Sequence, residues 1–169
     1  LRAQLGAMAA NAALAAGTAD RALALLDMAQ ADAGTAGDIH LSGEVAIDRA
    51  RALVALKRQD EAAKALVEAR TSAADNPLAW LLSATLSRRM DKLVEAQAQI
   101  ATAASLQPEN LAIGPEIGLE AGVIALLAGQ ADAARRSWQS VIDLAPQGEA
   151  ATAARDYLAQ LPAKGEVKQ

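Results

Sequence analysis

Leu78, Leu81, Leu82 and Leu86 recur at the spacing of one helix face, and after Met90 and Asp91 a second apolar series follows at Leu93, Ala96, Ile100, Ala103 and Leu106. Asn76 stands where a side chain accepts orphan backbone N–H groups, Pro77 suits the first helical position, and Pro108 stops the second series. The pattern predicts a helix from Asn76 to about Arg89 and a second helix ending at Pro108. So short a link forces the two to run antiparallel. Ala84 on the first helix and Ala96 and Ala103 on the second are small enough to let the backbones approach closely.

The same design recurs along the chain. Ala22, Ala62, Ala96 and Ala134 form one column of second-helix positions, spaced by 40, 34 and 38 residues. Four residues on lie Leu26, Leu66, Ile100 and Trp138, and three further on Ala29, Ala69, Ala103 and Val141, which continue one helix face. At a constant offset before each alanine stand Ala10, Ala50, Ala84 and Gly122, all small and all in the middle of a first helix.

These columns divide a single array, residues 1–162, into repeats at about 1–32, 44–75, 76–109 and 115–146. Gly17 ends the first helix of repeat one as a left-handed cap, and Gly129 closes that of repeat four. The stretch Ala33 to Gly43, with three glycines, reads as a longer loop that supplies the extra residues before Glu44. The extra residues before repeat four fall at Leu111 to Gly114, after which Pro115 opens the next helix. Gly114, Gly118 and Gly122 lie four residues apart. With Glu116 and Glu120 between them, they read as close helix packing that makes room for Trp138, and not as a membrane dimer motif. Trp80, on the first helix of its repeat, faces the smaller Ile100 on this reading, an exchange of bulk between the two helices. After Pro146, residues 148–161 form an amphipathic capping helix with Ala150, Ala154, Tyr157, Leu158 and Leu161 inward, and 163–169 form a tail. At the other end, Leu1 to Ala16 carries polar side chains only at Arg2, Gln4 and Asn11. A helix apolar on every side is expected to be covered, by an upstream segment or by a second copy in a homodimer.

Composition supports an all-α chain. There are 46 alanines and 23 leucines among 169 residues, no Phe, and aromatics at 2%. No apolar run is long enough to span a membrane, so no membrane insertion of this domain is expected. The formal net charge is −4 with both signs interspersed and no basic stripe, which argues against nucleic acid as a partner. No cysteine is present, so either a reducing or an oxidising compartment is compatible. The alanine-rich composition has a bacterial character and fits cytoplasm or periplasm, with room for an upstream signal or anchor before Leu1. Candidate chemistry is sparse. His40 is the only histidine and falls in the glycine-containing stretch, where a solvated side chain is the plainer reading. Glu116 and Glu120, one helical turn apart, read as a solvated face. No phosphate loop or dinucleotide fingerprint is present. The expectation is a non-enzyme with no cofactor and no metal.

A period near 34, helix-turn-helix units, a small residue in mid first helix, an alanine opening the second and a closing proline at Pro108 and Pro146 resemble the tetratricopeptide repeat. Repeats one and two place Gly34 and Ala74 where that proline stands, and the large aromatic positions hold Ala and Leu. The resemblance implies a right-handed superhelix of antiparallel helix pairs whose first helices line a concave groove. It places Gln4, Asn11, Glu44, Asp48, Arg51, Leu81, Thr85, Arg88, Arg89, Glu116 and Glu120 on or near that groove, with Ala7, Ile47, Val54, Leu119 and Val123 between them. It further implies a non-enzymatic scaffold for a protein or peptide ligand, with the arginines pairing acidic side chains or a carboxylate of the partner. Members that clamp a C-terminal carboxylate use a lysine and an asparagine on the first helix. Here only Asn11 corresponds, because Ala7 occupies the lysine site. A structural self-association module, or an accessory domain of a larger membrane-anchored assembly protein, is the alternative.

Overall fold

A computed structural model of the chain describes residues 1–106 and 112–162. All regular structure among these residues is helical: α1 (Arg2–Ala15), α2 (Ala19–Ala36), α3 (Ile39–Ala55), α4 (Gln59–Ser72), α5 (Pro77–Arg89), α6 (Leu93–Leu106), α7 (Gly114–Leu127), α8 (Ala131–Leu144) and α9 (Glu149–Gln160). The stop expected at Pro108, the residue Leu111 and the tail at 163–169 lie outside the described residues. The chain forms two compact units, Leu1–Leu86 and Ser87–Gln169, divided within α5.

In the first unit α1 packs on α2 and α3 on α4, while α2 meets α3 and the two first helices α1 and α3 touch each other. In the second unit α7 packs on α8, α8 on α9, and α7 also meets α6 and α9. Every member of the alanine column, Ala22, Ala62, Ala96 and Ala134, is fully buried, as are Ala10, Ala50, Ala84 and Gly122 on the first helices. Leu26, Leu66, Ile100 and Trp138 are buried one turn beyond. Small residues at a crossing point let two helix backbones approach closely.

The end of each first helix obeys a second repeat. Gly17, Lys57, Asp91 and Gly129 all have positive φ, between 59° and 76°. They follow the same 40, 34 and 38 residue spacing as the buried alanines. At each, two hydrogen bonds reach back over the last turn: Gly17 N–H to Leu14 and Thr18 N–H to Ala13, then Lys57 to Val54 and Arg58 to Leu53, Asp91 to Arg88 and Lys92 to Ser87, Gly129 to Leu126 and Gln130 to Ala125. This is the Schellman closure, which satisfies helix carbonyls through a left-handed residue. Repeats two and three accomplish it without glycine.

The Ala33 to Gly43 stretch is not a long loop. Helix α2 continues to Ala36, and α3 begins at Ile39, so only Gly37 and Asp38 connect them. Gly37 takes the left-handed conformation at φ 69°, and the Asp38 carboxylate caps α3 by accepting from Leu41 N–H at 3.0 Å. The extra residues lengthen two helices because Ala33 at one end and Val45 and Ala46 at the other become wholly buried. Gly43 has a packing role: a Cβ there would come within 2.7 Å of the Ala73 Cβ and 2.8 Å of its nitrogen. His40 accordingly lies in the first turn of α3 and is largely exposed.

Asn76 caps α5 by accepting from Leu78 N–H at 3.0 Å, with Pro77 opening the helix. The Trp80 indole turns toward the end of α4, where its N–H donates to the Ala74 carbonyl at 2.8 Å and the Arg70 guanidinium lies 5.4 Å over the ring. The exchange of bulk expected between Trp80 and Ile100 therefore does not describe Trp80. A capped, cation-covered indole at a helix junction satisfies its polar handle better than a fully apolar cleft.

In the second unit the glycines of α7 clear the path of α8. A Cβ at Gly122 would fall inside the Trp138 indole, one at Gly118 would stand 2.6 Å from Val141 Cγ2, and one at Gly114 3.3 Å from Leu144 Cδ2. Trp138 is 1% exposed, donates to the Leu119 carbonyl at 3.1 Å, and meets the Tyr157 ring of α9 at 5.1 Å between centroids.

Candidate functional site

Helices α1 and α3 and the start of α5 enclose a groove of about 550 Å³ within the first unit. Helix α1 contributes Gln4, Ala7, Met8 and Asn11; α3 contributes Leu41, Glu44, Val45, Ile47 and Asp48; Asn76 and Leu78 close one end. Val45 and Ile47 are buried and form the floor, whereas Met8 is 68% exposed at the rim. On α3, Leu41, Glu44, Val45 and Asp48 fall at i, i+3, i+4 and i+7, so one helix face delivers two apolar and two acidic side chains to the groove.

Asn11, Asp48 and Arg51 form one network. The Asn11 amide donates to Asp48 Oδ2 at 2.8 Å, and Arg51 Nη1 donates to Asp48 Oδ1 at 3.0 Å and to Asn11 Oδ1 at 3.4 Å. Direct contact of α1 with α3 allows this bond between residues 37 positions apart. Glu44 is half exposed, with His40 Nδ1 at 3.7 Å. That contact is ionic only when the imidazole is protonated.

The arginines behave differently from the expectation. Arg51 is matched by Asp48, and in the second unit Arg88 forms a fork on Glu120, Nε to Oε1 at 2.5 Å and Nη2 to Oε2 at 3.2 Å, with the side chains only 22% and 13% exposed. Both guanidinium groups have a carboxylate partner within the chain. Arg51 pairs within its own helix, whereas the planar fork of Arg88 meets a carboxylate on α7. Leu81 is buried at 8% exposure and belongs to the core, with Thr85 partly buried beside it on α5. Arg89 and Glu116 are exposed in the second unit. The residues expected at a groove thus fall into two sets: Gln4, Asn11, Glu44 and Asp48 meet around the cavity of the first unit, and Arg88 meets Glu120 in the second.

Met8, Leu41, Val45, Asn76 and Leu78 line the groove without having been anticipated. Leu41 falls in the stretch that the glycines mark as loop; the Gly37-Asp38 pair, a helix stop followed by a cap residue, is the signal for an earlier start. The all-round apolar character of α1 is partly left in the open, since Leu1, Leu5 and Met8 are 89%, 57% and 68% exposed.

Away from the groove, Arg58 reaches Glu61 with two bonds of 2.6 Å at the start of α4. Hydrogen bonding from Arg58 holds the Glu61 carboxyl below the usual carboxylate range, and the same bond raises the Arg58 guanidinium. Among the described residues no group of three or more acidic or histidine side chains is placed to hold a metal ion, and no helix is long and apolar enough to cross a membrane.

No family model and no curated protein matches the sequence. Solved structures do match its fold. Repeats described as TPR-like from a putative kinesin light chain of Podosopora anserina superpose with a TM-score of 0.77 at 16% identity, over 94% of this chain and 84% of that one. The fold is that of a tetratricopeptide-repeat protein. A tetratricopeptide repeat protein from Parabacteroides merdae gives a TM-score of 0.72 at 13% identity over 93% of this chain, which spans 59% of that longer one. YrrB, described as a TPR protein with an unusual peptide-binding site, gives 0.59 at 17% identity over 89% and 90% of the two chains.

Proposed function

We propose that this chain is a non-enzymatic scaffold that holds a short segment of another protein in the groove of its first unit. The observation that carries the reading is the groove itself. It combines an apolar floor at Val45, Ile47 and Leu78 with side-chain amides at Gln4, Asn11 and Asn76 and carboxylates at Glu44 and Asp48. An apolar floor supplies burial for alternate or one-face side chains of a peptide, and amides at the rim satisfy its backbone or fix its register. The presence of a peptide-binding site in YrrB, a protein of the same fold, is in keeping with this use.

The test is selection from a phage-displayed library of random dodecapeptides on the immobilised chain. Ala7→Trp, which puts an indole into the groove, serves as the blocked variant, with circular dichroism to establish that it folds. Peptides that bind the parent, lose binding to the blocked variant and protect amides of α1 and α3 from hydrogen exchange support the proposal. An unenriched pool, or peptides held equally by both proteins, overturns it.

A further inference from the structure

The groove's charge identifies the kind of segment it takes. None of the side chains lining it is a lysine or an arginine, whereas Glu44 and Asp48 both face it. Arg51, the nearest guanidinium, stands against Asp48 and Asn11 and balances one of the two carboxylates. Asp48, with 16% of its side chain exposed, is spent on this network; Glu44, 51% exposed, is met among the described residues by the imidazole of His40 at 3.7 Å. One carboxylate therefore faces the groove with no lysine or arginine among the described residues paired to it, at the edge of an apolar floor.

Resting on the groove reading above, we infer that the occupant is an amphipathic segment with apolar side chains for the floor and a lysine or arginine placed to meet Glu44. A segment with an acidic residue at that position brings like charges together at the mouth of a partly enclosed site, where water screens them less than on open surface. Apolar contact alone leaves register open; a single charge pair beside Met8, an adaptable side chain at the rim, selects one.

The composition of the dodecapeptides selected above tests the inference, together with Glu44→Lys, a substitution at an exposed helical position that leaves the core untouched. The expected result is a groove-dependent pool enriched in Lys or Arg flanked by Leu, Ile, Val or Met. Synthetic members of that pool should bind Glu44→Lys about tenfold more weakly than the parent in fluorescence anisotropy, and changing their cation to Glu should cost the parent a similar factor. Weakening of the parent's binding between 50 mM and 500 mM NaCl, absent for Glu44→Lys, is the corresponding electrostatic signature. Groove-dependent peptides with no basic bias, or equal affinity for parent and Glu44→Lys, overturn the charge assignment and leave the groove standing. A library yielding no groove-dependent peptide overturns both.

Discussion

Gly122 is the position at which a single methyl group should do most harm. In an unobstructed helix, replacing glycine by alanine is favourable by about 1 kcal/mol, because alanine loses less backbone entropy on folding. At Gly122 the added Cβ would occupy the space of the Trp138 indole, standing 2.5 Å from Cδ1 and 2.6 Å from Cε2. The indole cannot retreat, because it is 1% exposed, bonded to the Leu119 carbonyl and stacked against Tyr157. Overpacking of a tight core costs roughly 1–3 kcal/mol, and loss of the Trp138 N–H bond adds about 1 kcal/mol. After the helical gain is subtracted, Gly122→Ala should destabilise by about 2 kcal/mol, equivalent to roughly 4–8 °C in Tm for a chain of this size. Gly34→Ala is the internal control: that glycine lies within α2 with no neighbouring atom within 4 Å of its would-be Cβ, so the same substitution should stabilise by about 0.5–1 kcal/mol. Urea unfolding followed by circular dichroism at 222 nm and by tryptophan emission gives both values. A cycle with Trp138→Leu should show coupling of about 1 kcal/mol or more, since a smaller partner readmits the methyl group. Gly122→Ala at parental stability or above, or a cycle without coupling, would refute the packing argument for α7 and α8.

Lys57 and Asp91 close their helices in a left-handed conformation that costs a residue with a Cβ about 1 kcal/mol, so Asp91→Gly and Lys57→Gly should each raise stability by roughly 0.5–1 kcal/mol, whereas Gly129→Ala should lower it by a similar amount. Thermal melts that fail to place Asp91→Gly and Lys57→Gly above the parent and Gly129→Ala below it contradict the shared closure. Arg88→Ala strands the Glu120 carboxylate at 13% exposure and should cost about 1–3 kcal/mol, with Arg88 and Glu120 replaced together by Met and Leu recovering most of it in urea melts. The depressed Glu61 carboxyl contributes stability that is present above the ordinary carboxylate pKa and is lost as pH falls through the lower folded value. A carbon-detected NMR titration should show Glu61 titrating below the usual glutamate range and returning to it in Arg58→Gln; unchanged titration in that variant removes the Arg58 bond as the cause.

The pairing of charges explains why the site is acidic although arginines mark its sequence. Arg51 and Arg88 occupy first-helix positions of successive repeats, and each finds its carboxylate on a first helix: Asp48 one turn earlier on α3, and Glu120 on α7, 32 positions on. Ion pairs of this kind orient side chains more than they stabilise the fold when exposed. At Asp48 the consequence is an amide and a carboxylate, Asn11 of α1 and Asp48 of α3, held against each other at the groove.

The buried columns were legible in the residues because helix geometry ties burial to a period of 3.6. Once Ala62 and Ala96 are read as equivalent, Leu66 and Ile100 must share their face, and all four are buried. Gly17 and Gly129 likewise announced two helix ends through their own backbone freedom. Lys57 and Asp91 gave no such local sign, since only the chain's return across each helix pair holds them at positive φ. The glycines at 34 and 43 were misleading for the same reason. Local propensity counts each as a breaker, while burial of Ala33, Val45 and Ala46 outweighs that cost and the approach of Ala73 requires Gly43 to lack a side chain. The groove's charge was the least legible feature. The Arg51–Asp48 pair is local to α3, one turn apart, but the bond from Asn11 to Asp48 depends on the packing of α1 against α3, helices whose partners lie 37 residues apart in sequence.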